Sequence, residues 1–125
     1  MKVLVVDGAN VVGSRPDGWW RDRARAAARL HGQLAVADSD DLASYDVIVL
    51  VLEGQARGGV PEGRDGHLRT VHAPRDGDAA IVAAARDAVG AGDDVTVVTA
   101  DRALVMRVEG AGARATGPGW LLDRL

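Results

Sequence analysis

Three continuous runs of β-branched and aliphatic residues, Val3 to Val6, Val47 to Leu52 and Val95 to Thr99, set the strongest limit on how this chain folds. None alternates regularly with charged residues, so each predicts a strand buried on both faces, the kind found where helices cover both sides of a parallel sheet. Leu68 to His72 and Ala113 to Thr116 are weaker strand candidates. Between the strands the spacing turns helical. Trp20, Ala24, Ala27, His31 and Leu34 share one face, beside a stripe of Arg21, Arg25 and Arg29. Ile81, Val82, Ala85 and Val89 share another. A third helix is expected from Asp101 to Glu109, and a short one after Pro118. Strands alternating with helices predict an α/β three-layer sandwich with a mostly parallel central sheet of about five strands, in one domain over residues 1–125. The glycine-rich stretch from Gly54 to Gly66 lacks periodicity and is expected to be a mobile loop beside the site.

Composition narrows the chemistry. With no cysteine there is no disulfide, thiolate site or cysteine nucleophile, so any metal must be held by oxygen or histidine. The four apolar positions before Asp7 are too few for a signal peptide or membrane span, which makes a cytoplasmic location the expectation. A formal net charge of -3 does not advertise a nucleic-acid binder. Every basic residue except Lys2 is arginine, however, and guanidinium is the better fork for phosphate.

In an open parallel sheet, ligands bind outside the carboxyl ends of the strands. Acidic residues occupy those places here: Asp7 ends the first strand, Glu53 the second, and Asp101 follows the strand that closes at Thr99. Asp78 opens the helix after the weak strand. Like charges gathered at one edge raise one another's pKa, and a divalent cation relieves the repulsion. Oxygen-only ligation suits Mg²⁺ or Mn²⁺. Such an ion points to phosphodiester hydrolysis. Each acidic residue also has a plainer reading. Asp7, Asp78 and Asp101 are all placed to cap helices or turns, and Glu53 to be a solvated loop residue.

Around this cluster, Asn10 is suited to hold a phosphate oxygen or a metal-bound water, and Thr99 to hydrogen-bond Asp78 or such a water. Arg21 and Arg25 in the stripe, with Arg102, are candidates for phosphate contact, against the alternative of a solvated helix face. Trp20 is expected in the core, which leaves Trp19 to stack a base. His31 reads as a core histidine. The apolar tail Trp120-Leu121-Leu122 either docks on the core or forms a homodimer contact.

Three segments in order carry a family resemblance: Val5-Val6-Asp7-Gly8-Ala9-Asn10-Val11, Gly77-Asp78-Ala79-Ala80-Ile81-Val82, and Val97-Val98-Thr99-Ala100-Asp101-Arg102. With them the chain resembles the NYN and PIN-like nuclease superfamily, and looks most like small bacterial NYN proteins. The resemblance implies a metal-dependent endoribonuclease acting on RNA, with metal ligands at Asp7, Asp78 and Asp101 and a motif position at Asn10. Two positions depart from the pattern. Ala79 stands where many relatives carry a second aspartate, and Glu53-Gly54 stands where they often have Asp-Gly. A metal-dependent phosphohydrolase acting on nucleotides, and a non-catalytic PIN-like binding module, are the competing readings. A P-loop is absent.

Overall fold

A computed structural model describes residues 1–125. Six strands form one sheet in the order β3-β4-β2-β1-β5-β6, in which only β3 runs antiparallel. The continuous apolar runs take its interior: β1 (Lys2–Asp7) lies between β2 (Val47–Leu52) and β5 (Asp94–Val98), with Val5 opposite both Val49 and Val97. β4 (Leu68–His72) and β6 (Arg114–Thr116) extend the two sides.

The pleat sorts side chains alternately to two cores. Leu4, Val6, Ile48, Leu50 and Leu52 point toward α1 (Gly8–Gly13), α2 (Arg23–Val36) and α3 (Asp40–Ala43), meeting Val11, Leu30, Leu34 and Leu42. Val3, Val5, Val47, Val49, Val95 and Val97 point the other way, toward α4 (Gly77–Gly90) and α5 (Arg102–Gly110). This second layer pairs short valines with Ala80, Ala84, Ala85 and Ala88 of α4, whose small side chains bring the helix close to the sheet. α6 (Pro118–Leu122) closes the chain and buries Leu121 in the first core. Because α1 leaves β1 on one face and α5 leaves β5 on the other, the crevice of the fold opens at the carboxyl ends of these two adjacent strands.

Several expectations need correcting. The sheet has six strands because β3 (Gly63–Asp65) pairs back on β4, Asp65 opposite Leu68. The turn between them uses Gly66 at φ 60, a conformation glycine adopts without strain. The first half of the stretch expected to be a mobile loop is a 3-10 helix, Gly54–Gly59, packed on α2. Its glycines reflect close backbone contact: a Cβ on Gly59 would sit 1.9 Å from the Ala24 carbonyl oxygen.

α2 also starts later than the spacing suggested. Asp22 caps it, accepting from the Arg25 N–H at 3.0 Å, and Trp19–Arg21 form a separate 3-10 turn. The buried face is therefore Ala27, Leu30 and Leu34. The two tryptophans exchange roles, Trp20 being 56% exposed while Trp19 packs against the core. His31, expected at the centre of that face, is only half-buried. No helix is long and apolar enough to cross a membrane.

Candidate functional site

Asp7 ends β1 and is 7% exposed, the one acidic side chain in the buried set. Thr99 Oγ1 donates to its Oδ2 at 2.9 Å, and the Asn10 N–H donates to its Oδ1 at 3.2 Å, capping α1. The same Thr99 oxygen accepts from the Asp101 N–H at 3.2 Å, and Asp101 Oδ1 accepts from the Leu104 N–H at 3.1 Å, capping α5. Asn10 Oδ1 accepts from the Ala100 N–H at 2.8 Å. The turn after β1 is thus stitched to the turn after β5 by side chains from both. Gly8 is required where it stands: a Cβ there would lie 2.6 Å from the Val51 carbonyl oxygen, so α1 begins hard against β2.

From the other side come Glu53 and Asp78. Glu53 Oε2 accepts from the Gly77 N–H, which ties the end of β2 to the start of α4. Asp78 does not cap α4. That role falls to Asp76, whose Oδ1 accepts from the N–H groups of Asp78 at 3.1 Å and Ala79 at 3.3 Å. The Asp78 carboxylate is left without a protein hydrogen bond, half-buried in the first turn of the helix.

Two of these carboxylates, Asp7 and Asp78, are perturbed by their surroundings. Burial pushes the Asp7 carboxyl above the ordinary range; the Thr99 and Asn10 hydrogen bonds pull it partly back, and Asp78 and Glu53 push it up again. Asp78 is raised by desolvation first, then by Asp101, Asp76 and Glu53, with Arg107 opposing. Even so, no three acidic or histidine side chains stand close enough to form a metal cage. Glu53 and Asp101 each commit one oxygen to a backbone N–H, while both oxygens of Asp7 keep spare lone pairs. Such a donor set fits an ion held by one or two carboxylates and completed by water, as Mg²⁺ prefers.

The chain shares its fold with Rae1 (YacP) from Bacillus subtilis. Two crystal structures of that protein, one of a single-residue mutant, match at TM-scores of 0.77 and 0.75 with 20% and 18% sequence identity. Each match covers 98% of this chain, and 74% and 72% of theirs. No family profile matches the sequence, and no curated protein matches it either.

Of the residues singled out from sequence, Asp7, Asn10, Thr99 and Asp101 form one bonded group, with Glu53 and Asp78 coupled to it through charge. Arg102 is exposed at the start of α5. Arg21 and Arg25 instead line a surface groove of about 460 Å³ with Arg29, Asp17 and Asp22. Of the three arginines only Arg29 is paired, with Asp17 at 3.2 Å. Trp19 borders this groove and also a second pocket that reaches Gly8 and Glu53, so it links the arginines to the acidic edge.

Sequence reasoning missed Arg107 as the cation nearest in effect to Asp78, and Asp76 as the cap that releases it. The second had a signal, because Asp76-Gly77-Asp78 offers two carboxylates at a helix start and only one is needed to cap.

Proposed function

We propose that this chain is a PIN-like, divalent-metal-dependent endoribonuclease that hydrolyses RNA phosphodiesters at the Asp7 edge. One observation carries the reading: a buried aspartate at the crevice of the sheet, braced by Thr99, whose carboxyl is raised further by Asp78 and Glu53. A structural cap needs no such neighbours, and perturbed carboxylates gathered in a crevice are the usual mark of a functional site. Of Asp7, Asp78, Asp101 and Glu53, one or two would hold Mg²⁺ or Mn²⁺ directly and the others through its bound waters. Once bound, the ion would polarise a phosphoryl oxygen and acidify a water.

The protein groups do the positioning. Asn10, its oxygen fixed by the Ala100 N–H, presents its amide nitrogen as a donor for a phosphate oxygen. Thr99 holds the Asp7 carboxylate in one orientation. Arg102 at the site edge and the groove of Arg21 and Arg25 offer cations for the flanking phosphates.

Purified protein assayed on single-stranded and structured RNAs with Mn²⁺, Mg²⁺ or EDTA tests the reading, with a panel of nucleoside triphosphates alongside. Metal-dependent cleavage is expected. Phosphate release from nucleotides without RNA cleavage would replace the reading with a nucleotide phosphohydrolase. Salt-sensitive RNA binding with no turnover would leave a binding module.

Thr99→Val gives a finer check, since it keeps the shape and removes both hydrogen bonds of the hydroxyl. Loss of its donation lets the Asp7 carboxyl rise further. The acidic limb of the activity profile should therefore move to higher pH, with a drop of roughly tenfold at neutral pH as expected for a group that orients a ligand. An unmoved limb would mean that Asp7 does not act as the ionised group.

A further inference from the structure

Beside the acidic edge lies a pocket of about 350 Å³, at the lower end of the range of small-ligand sites, roughly 300–1,000 Å³. Gly8, Val12, Leu52 and Ala56 contribute to its apolar lining. Trp19 and Arg23 border it together, the guanidinium lying 4.9 Å above the indole centroid, which makes a flat and cationic wall. Glu53, Gln55 and Arg75 bring the polar groups. Glu53 spends one carboxylate oxygen on Gly77 and has the other without a protein partner. Arg23 makes no ion pair.

We infer that this pocket takes one unpaired nucleobase of the RNA, next to the bond that is cut. The inference rests on the endoribonuclease reading and adds the subsite that seats the base. A planar heteroaromatic ring matches an apolar floor and a stacking wall of aromatic and guanidinium groups. The free Glu53 oxygen accepts an N–H from the edge of such a ring, while Arg23 stacks on its face and Arg75 meets a neighbouring phosphate. Because Gly8 and Glu53 line the pocket and also adjoin or belong to the acidic edge, a base seated there places its own phosphate near Asp7. A base within a duplex is stacked and paired, and reaches the pocket only by being extruded from the helix.

The test uses the cleavage-silenced Asp7→Asn protein, a labelled single-stranded oligoribonucleotide, and a set of the same oligomer with one abasic nucleotide walked along it. Binding should weaken by about tenfold at one position of the walk, the value expected for one stacked base. A duplex of the same sequence should bind no better than that abasic oligomer. Adding Arg23→Ala, an exposed change that spares the core, should weaken the intact oligomer and leave the abasic one unchanged. Trp19→Leu should do the same if it folds. A flat abasic profile, or equal binding of duplex, would overturn the pocket assignment while wild-type cleavage of RNA still upheld the nuclease. If the wild type neither binds nor cuts any RNA, both readings fall together.

Discussion

Asp7→Asn is expected to lower RNA cleavage by about a thousandfold or more while raising the melting temperature at neutral pH. The activity loss follows from removing the one buried negative charge at the crevice, an effect in the range seen when a central catalytic group is lost, about 10²–10⁴-fold. The gain in stability follows from the cause of the raised pKa, which is burial first. A carboxyl whose folded pKa lies above its unfolded value binds its proton more tightly in the folded state, so stability falls as pH rises from the ordinary carboxylate range through the raised pKa. Above that window the full penalty is present. Asparagine fills the same volume, still accepts from Thr99 or Asn10, and carries no charge to desolvate. Thermal melts of both proteins from acid to neutral pH should show the mutant ahead at neutral pH and the two converging as Asp7 protonates. A mutant that melts lower at neutral pH, or cuts RNA at the wild-type rate, would remove Asp7 from the proposed role.

The central strands were legible in the sequence because burial on both faces leaves an unmistakable pattern. Val47 to Leu52 is apolar at every position, and all six residues are buried. The acidic edge was legible for a related reason: a parallel sheet presents strand ends together, so Asp7, Glu53 and Asp101 had to lie on one side. What could not be read was the division of labour among them. Whether Asp76 or Asp78 caps α4 depends on one backbone turn, and the choice decides which carboxylate is free to meet the others. Trp19 and Trp20 exchanged places for a similar reason, since α2 starts at Arg23 and the preceding turn follows a tighter period. Periodicity speaks only for regular elements, and the Gly54 to Gly66 stretch is ordered by contacts that leave no period at all.

That contact sets the largest stability effect expected for a single added methyl. Gly59→Ala should lower stability by about 3 kcal/mol or more, at the upper end of what overpacking costs. The new Cβ would lie 1.9 Å from the Ala24 carbonyl oxygen, 2.7 Å from its carbon and 3.1 Å from its Cα, all backbone of the first turn of α2. No rotamer change relieves a clash with backbone, so the 3-10 helix Gly54–Gly59 or the start of α2 must move. Either movement strips Val60 and Ala56 from the first core. Neighbouring Gly58→Ala supplies the control, because its Cβ would meet only the Ala24 Cβ at 4.0 Å, an ordinary contact. In thermal melts the Gly59 variant should fall by on the order of 10 °C, and the Gly58 variant by no more than about 2 °C. Equal melting of the two would mean that this segment does not pack on α2. The pocket lined by Gly54, Gln55 and Ala56 would then lose one of its walls.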